Sequence, residues 1–261
     1  MSYPSLQTPL AKSLGCRYPI ICLAGPQVDQ AEFAAAIGNA GGLGCIQTAR
    51  VTSAQLQQQV FAYQALSQRP FAAILDCTCT ARSLHNEQIQ ACLTLQVPIV
   101  ILASTVQSSV IEQFKRAGVQ VLQQVKQSRQ AIHAMEAGAD ALIAQADRSS
   151  PNLAYELALL NNAPVIAAGG IRTGNAVVAA LGRGAQGVLC QLTGYAIDNF
   201  QAREHYAGRL AQLVDEAKVC MALERGECDG RFKRSMEMAM AYRARKGAVA
   251  AQVGLGDGGI V

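Results

Sequence analysis

The sequence predicts an α/β chain, a (β/α)8 barrel with a C-terminal helical extension. Three observations predict it. Short apolar runs alternate with helical segments of roughly ten residues, the pattern of a parallel sheet covered by helices. The runs number eight, which suits a closed barrel better than an open doubly wound sheet. In the second half, most helical segments carry a polar start signal and end in glycine.

Tyr18 to Cys22 is the first strand, and the Ala-rich stretch Ala31 to Gly38 is the first helix. Leu43 to Ile46 follows as the second strand, and Thr52 or Ser53 caps a helix reaching about Leu66. Pro70 to Leu75 is the third strand, with a helix from about Asn86 to Leu95. Pro98 to Leu102 is the fourth, with Ser104 or Thr105 capping a helix to Ala117. Gln120 to Val125 is the fifth, with Ser128 capping a helix to Ala137; Ala141 to Gln145 is the sixth, with a helix from Ser149 or Ser150 to Leu160. Pro164 to Ala168 and Gly187 to Cys190 are strands seven and eight, separated by a helix over Thr173 to Leu181. A last helix follows Asp198, a break falls at Gly226 to Gly230, and the chain ends in the Gly-rich Gly254 to Gly259. The expected division is therefore 1–200 for the barrel and 201–261 for its last helix and a helical extension, with a homodimer or partner-protein contact expected in the extension.

Composition narrows the function. Of 261 residues 51% are apolar and 15% charged, so a large core can form and disorder is excluded. There is no Trp and only 5% aromatic residues, which argues against stacking on single-stranded nucleic acid. The net charge of +4 is mild, and the local group Arg231, Lys233, Arg234, Arg243, Arg245 and Lys246 reads as a solvated helix face. No apolar run reaches the length of a membrane span, and MSYPSLQTPLAKSLG has no signal-peptide core, so a cytoplasmic protein is expected. Nine cysteines without C-x-x-C spacing then read as reduced thiols, with no metal site expected.

Chemistry is expected at the C-terminal ends of the strands. The strongest signal is Pro164 to Gly194, a strand, a pair of glycines, a helix and a strand. Gly169 and Gly170 allow close backbone approach, and free N–H groups at the following helix start attract an anion such as a phosphate. The alternative is that the two glycines merely make a tight turn. The stretch GNAGGLG over Gly38 to Gly44 has the order helix, glycines, strand, the reverse of a dinucleotide fingerprint, so helix termination and close packing are its expected role. Other strand ends offer Ala24, Gly25, Gln124, Gln145, Gln191 and Thr193, with Asp147 just beyond strand six. His133 and His205 fall on outer helices, whereas His85 is placed on a mouth-side loop. Cys22, Cys77, Cys79 and Cys190 fall near the mouth, either as a thiolate site or as small apolar residues.

The segments YPIICLAGPQVDQAEFAAAIGNAGGLGCI, PFAAIL, AGVQVLQQV, EAGADALIAQ and APVIAAGGIRTGNAVVAALGRGAQGVL, in that order, resemble the nitronate monooxygenase (2-nitropropane dioxygenase) family, to which the flavin-type enoyl-ACP reductases are related. The resemblance implies an FMN-dependent barrel. It implies that Gly169 and Gly170 meet the flavin phosphate and that Gln124 and Gln145 lie beside the flavin. It also marks departures. Ile74 stands where the family has an Asn. Residues 146–152 read ADRSSPN where the family carries an Ala-Gly-Gly-His motif with its catalytic His. Gln191-Leu192 replaces a Gly-Thr, unless Thr193-Gly194 takes that part, and the Met of the first loop is absent. Asp147 is the remaining candidate base. Two functions stay open: an FMN-dependent oxidoreductase acting on a small molecule, or a flavin-free barrel serving as a binding or scaffold subunit. A thiol enzyme using the mouth cysteines is a third.

Overall fold

The computed structural model describes residues 5–224, apart from 26–27, 79, 104, 106, 148–149, 151, 161–162 and 193–198. The elements are α1 (Pro9–Ser13), β1 (Ile20–Ala24), α2 (Gln30–Asn39), β2 (Leu43–Gln47), α3 (Ser53–Leu66), β3 (Ala72–Asp76), α4 (Arg82–Thr94), β4 (Ile99–Ala103), α5 (Ser108–Arg116), β5 (Gln120–Val125), α6 (Ser128–Glu136), β6 (Ala141–Gln145), α7 (Leu153–Leu160), β7 (Val165–Ala168), α8 (Gly174–Gly182), β8 (Gly187–Leu192) and α9 (Asn199–Glu224). The strands close into one parallel barrel in sequence order. Closure is made by β1 against β8, in register from Ile20 opposite Val188 to Ala24 opposite Leu192.

Strand alternation sorts the apolar residues into two layers. Ile21, Leu43, Cys45, Ala72, Ile99, Ile101, Leu122, Ala141, Ile143, Ile166 and Ala168 pack inside the barrel. Their neighbours in sequence, such as Ile46, Ala73, Leu75, Val100, Leu102 and Val121, pack outward under the helices. The barrel is thus a filled core, and ligand chemistry is confined to its rim.

Some local signals act as expected. Thr52 and Gln55 form a reciprocal capping box on α3, and Thr173 Oγ1 accepts from Ala176 N at the start of α8. Others differ. Gln107 and Gln127, rather than a serine or threonine, occupy the N-caps of α5 and α6, without side-chain cap bonds. Helix α4 begins a turn earlier than predicted, at Arg82. The five-residue α1 is unpredicted; Thr8 caps it, Pro9 opens it, and Leu10 and Leu14 join the interior cluster. Thr8 Oγ1 donates to Gln186 O at 2.6 Å, which ties α1 to the turn before β8.

Gln88 on α4 is fully buried and binds the turn after β2. Its Nε2 donates to Thr48 O and Val51 O, each at 2.7 Å, and its Oε1 accepts from Thr48 Oγ1 at 3.4 Å. Gln88→Leu strips both carbonyls of their donor and is expected to cost about 2–3 kcal/mol, read as a lower urea midpoint at unchanged slope.

By its contacts the chain separates into two units, 1–218 and 219–261. Of the second, only the end of α9 is described. The predicted break at Gly226 to Gly230 and the Gly-rich end, with the partner contact expected there, lie outside the described residues.

Candidate functional site

Four glutamines stand at the mouth end of the barrel, each two residues after an inward-facing residue of its strand. They are Gln47 on β2, Gln124 on β5, Gln145 on β6 and Gln191 on β8. Gln124 Nε2 donates to Gln145 Oε1 at 3.0 Å, so these two predicted residues form one unit. Gln191 is exposed and lies beside Leu23 across the β1–β8 seam. Gln47, absent from the expectations, donates through Nε2 to Ala24 O. Ala24 itself is buried with its side chain turned outward, so it offers the mouth its carbonyl alone. Gly25 is held from the side: Gln30 Nε2 donates to Gly25 O at 3.0 Å and to Val28 O at 2.9 Å. Thr193 lies outside the described residues.

Gly169 and Gly170 follow β7 with φ of +103° and +71°, a conformation that favours glycine, and both are exposed. A Cβ on Gly169 would lie 2.6 Å from Ala146 O, whereas one on Gly170 would meet nothing within 4 Å. Space beside the Gly170 backbone is therefore open. The helix start beyond it differs from expectation. Gly174 N already donates to Glu216 Oε2 at 2.9 Å, and Gln212 Nε2 fixes the other carboxylate oxygen at 2.9 Å. A carboxylate from α9 thus takes part of the anion-attracting end of α8, while the space beside Gly170 stays open.

Asp147 is exposed after β6, and its Oδ1 accepts from Ser150 N at 2.9 Å. His133 and His205 are exposed on α6 and α9, as expected. His85 differs: it sits in the first turn of α4, is buried, and faces Leu75 and Leu102 on the outer side of the wall, away from the mouth. Burial lowers its pKa, against a smaller opposing effect of Asp76.

The cysteines divide likewise. Cys22 and Cys190 are neighbours in register, but both turn outward and are buried, so neither opens on the mouth. Burial pushes the Cys190 thiol up to about 12 and raises that of Cys22 well above the usual thiol value, with Cys190, Cys45 and Cys16 adding to the rise. They behave as small apolar residues. Cys77 is half-buried just after β3, and Cys79 lies outside the described residues. No group of three or more metal-ligating side chains occurs among the described residues.

No protein-family model matches the chain. Among curated proteins it is 27% identical over 232 residues to "Probable nitronate monooxygenase" of Staphylococcus haemolyticus, covering 69% of this chain and 65% of that protein. It is 28% identical to a hydroxy-methyl-oxo-octahydroindene-carboxyl-CoA dehydrogenase of Rhodococcus jostii, covering 70% of this chain and 54% of that protein. Among solved structures, FabK of Thermotoga maritima superimposes with a TM-score of 0.67 at 25% identity, over 73% of this chain and 62% of that one. The chain is a TIM barrel similar to proteins named nitronate monooxygenase. The nitroalkane oxidase of Streptomyces ansochromogenes shares the fold, with a TM-score of 0.61 at 22% identity. This nitronate monooxygenase-like chain spans between about half and two thirds of the length of the curated relatives named here. Among its described residues no helix is long and apolar enough to cross a membrane. Its Ile74 packs against the barrel interior, so the position matched to the family's Asn is apolar in fact as well as in sequence.

Proposed function

We propose that the chain is an FMN-dependent oxidoreductase of the nitronate monooxygenase type, acting on a small molecule. One observation carries the reading: two consecutive exposed glycines in left-handed conformation at the mouth end of β7, with open space at Gly170. Their backbone N–H groups would hold the flavin phosphate. The Gln124–Gln145 pair would orient the ring or ribityl chain by hydrogen bonds, and Gln191, Gly25 and the carbonyl of Ala24 would line the approach. When bound, FMN supplies the electron transfer. For proton removal the chain offers Asp147, whose carboxylate is exposed beside β6. Relatives named as a nitronate monooxygenase, a dehydrogenase and a nitroalkane oxidase are oxidoreductases, which supports an enzyme. The free thiols suit the cytoplasm.

A flavin-free barrel acting as a binding subunit is the second reading. Ile74 in the interior and the carboxylate of Glu216 on the α8 start favour it. The visible spectrum of the purified protein separates the two. The first reading expects a yellow protein, or one that turns yellow on FMN addition and bleaches on reduction. A colourless protein that leaves the FMN spectrum unchanged overturns it.

A further inference from the structure

The loop that joins β7 to α8 carries one charged side chain, Arg172. It follows Ile171, which is buried and anchors the loop, whereas Arg172 itself is exposed. Two peptide steps separate it from Gly170, at most about 7 Å of chain. It makes no hydrogen bond or ion pair among the described residues.

The groups around this loop are acidic. The Glu216 carboxylate lies on Gly174 N at 2.9 Å, two residues beyond Arg172. On the other side Ala146 O stands against Gly169, and the exposed Asp147 follows Ala146. Gly169 and Gly170 can offer a phosphate only backbone N–H groups, which carry partial charges. Two carboxylates nearby oppose a dianion, and the positive end of α8 is already shared with one of them. Holding a doubly charged group here therefore calls for a full positive charge. A guanidinium suits the task, because its fork of N–H donors matches phosphate oxygens in geometry as well as in charge. Arg172 breaks no contact with another described residue in turning to such a ligand.

We infer that Arg172 is the counter-charge of the phosphate at the Gly169–Gly170 loop, and that it makes the chain select the phosphate ester of the flavin over the uncharged flavin. The inference rests on the flavin reading above for the ligand's identity, but the loop's own chemistry asks only for a phosphate monoester.

The test titrates the full chain with FMN and with riboflavin, read by flavin fluorescence. Arg172→Gln is expected to weaken FMN binding by about tenfold or more and to leave riboflavin binding within about twofold. Arg172→Lys recovers part of the loss. Glu216→Gln keeps an acceptor for Gly174 N while removing the charge, and it is expected to tighten FMN binding by about threefold without moving riboflavin. Arg148, beside Asp147 in sequence and outside the described residues, supplies the control: Arg148→Gln keeps the preference for FMN. Unchanged FMN affinity in folded Arg172→Gln, an equal loss for both flavins, or a loss that follows Arg148→Gln instead overturns the assignment. Inorganic phosphate separates this failure from that of the flavin reading. A chain that binds neither flavin, yet is stabilised against heat by phosphate in the wild type and not in Arg172→Gln, refutes the flavin and keeps the phosphate site. A chain that answers to neither flavin nor phosphate overturns both.

Discussion

Replacing Gly170 with Val is expected to weaken FMN binding by about a hundredfold or more while the barrel stays folded. Gly170 is exposed and its added side chain would enter open space, so no core contact is disturbed. That same space is where the phosphate must come if the loop N–H groups are to reach it. Hydrogen bonds to a charged group contribute about 1.5–3 kcal/mol each, so losing two of them moves Kd by two decades or more. Backbone strain is the competing explanation, because φ at Gly170 is +71°. Gly118 provides the control. It sits in the turn between α5 and β5, at the opposite end of the barrel, with φ of +75° and nothing within 4 Å of an added Cβ. Gly118→Val carries the same strain, about 1–2 kcal/mol, without touching the mouth. Thermal unfolding should fall by similar amounts in both variants, and flavin fluorescence titration should show lost affinity in Gly170→Val alone. Equal affinities in the two variants would remove the phosphate from this loop.

The barrel was legible because its elements repeat. Each apolar run is short, and helix signals such as Thr52 and Thr173 act where they stand in the sequence. What stayed hidden has physical causes. In a parallel sheet covered on both faces, inward and outward positions are equally apolar, so a run such as Ile20 to Ala24 does not show which residues face the barrel axis. That is why Cys22 and Cys190 were expected at the mouth and are found beneath the helices. The usable signal is a polar residue at the end of a strand, two positions beyond an inward apolar one. Gln124 and Gln145 show it, and Gln47 does too once β2 is extended by one residue. His85 was misplaced because α4 begins a turn early, which swings the ring behind the wall. Helix α1 is too short to show a period, although Thr8 before Pro9 is a start signal. The contact of Glu216 with Gly174 joins residues 42 apart, and no local pattern contains it.

The largest stability effect is expected from a single methyl group, in Gly44→Ala. Gly44 lies on the outward face of β2, directly beneath α2. A Cβ there would fall inside the van der Waals radii of the Ala34 O and Cα atoms, and 2.7 Å from the Ala34 carbonyl carbon. The neighbour is backbone, so no rotamer change relieves the clash, and α2 as a whole must lift. Ala31, Ala34 and Ala35, all buried against β2, would then lose their packing together. A cost of about 3 kcal/mol is expected, which lowers Tm by about 6–12 °C in a chain of this size. Two companions test the cause. Ala34→Gly in the Gly44→Ala background should give no rescue, since the obstructing atoms belong to the main chain. Gly182→Ala, at the end of α8 with nothing within 4 Å of its new Cβ, should be neutral or stabilising by up to about 1 kcal/mol. Rescue by Ala34→Gly would show that the side chain, not the backbone, sets the helix–strand distance. Because Gly44 faces away from the mouth, FMN affinity in the fraction that remains folded should be unchanged, which separates this glycine's packing role from the ligand role assigned to Gly170.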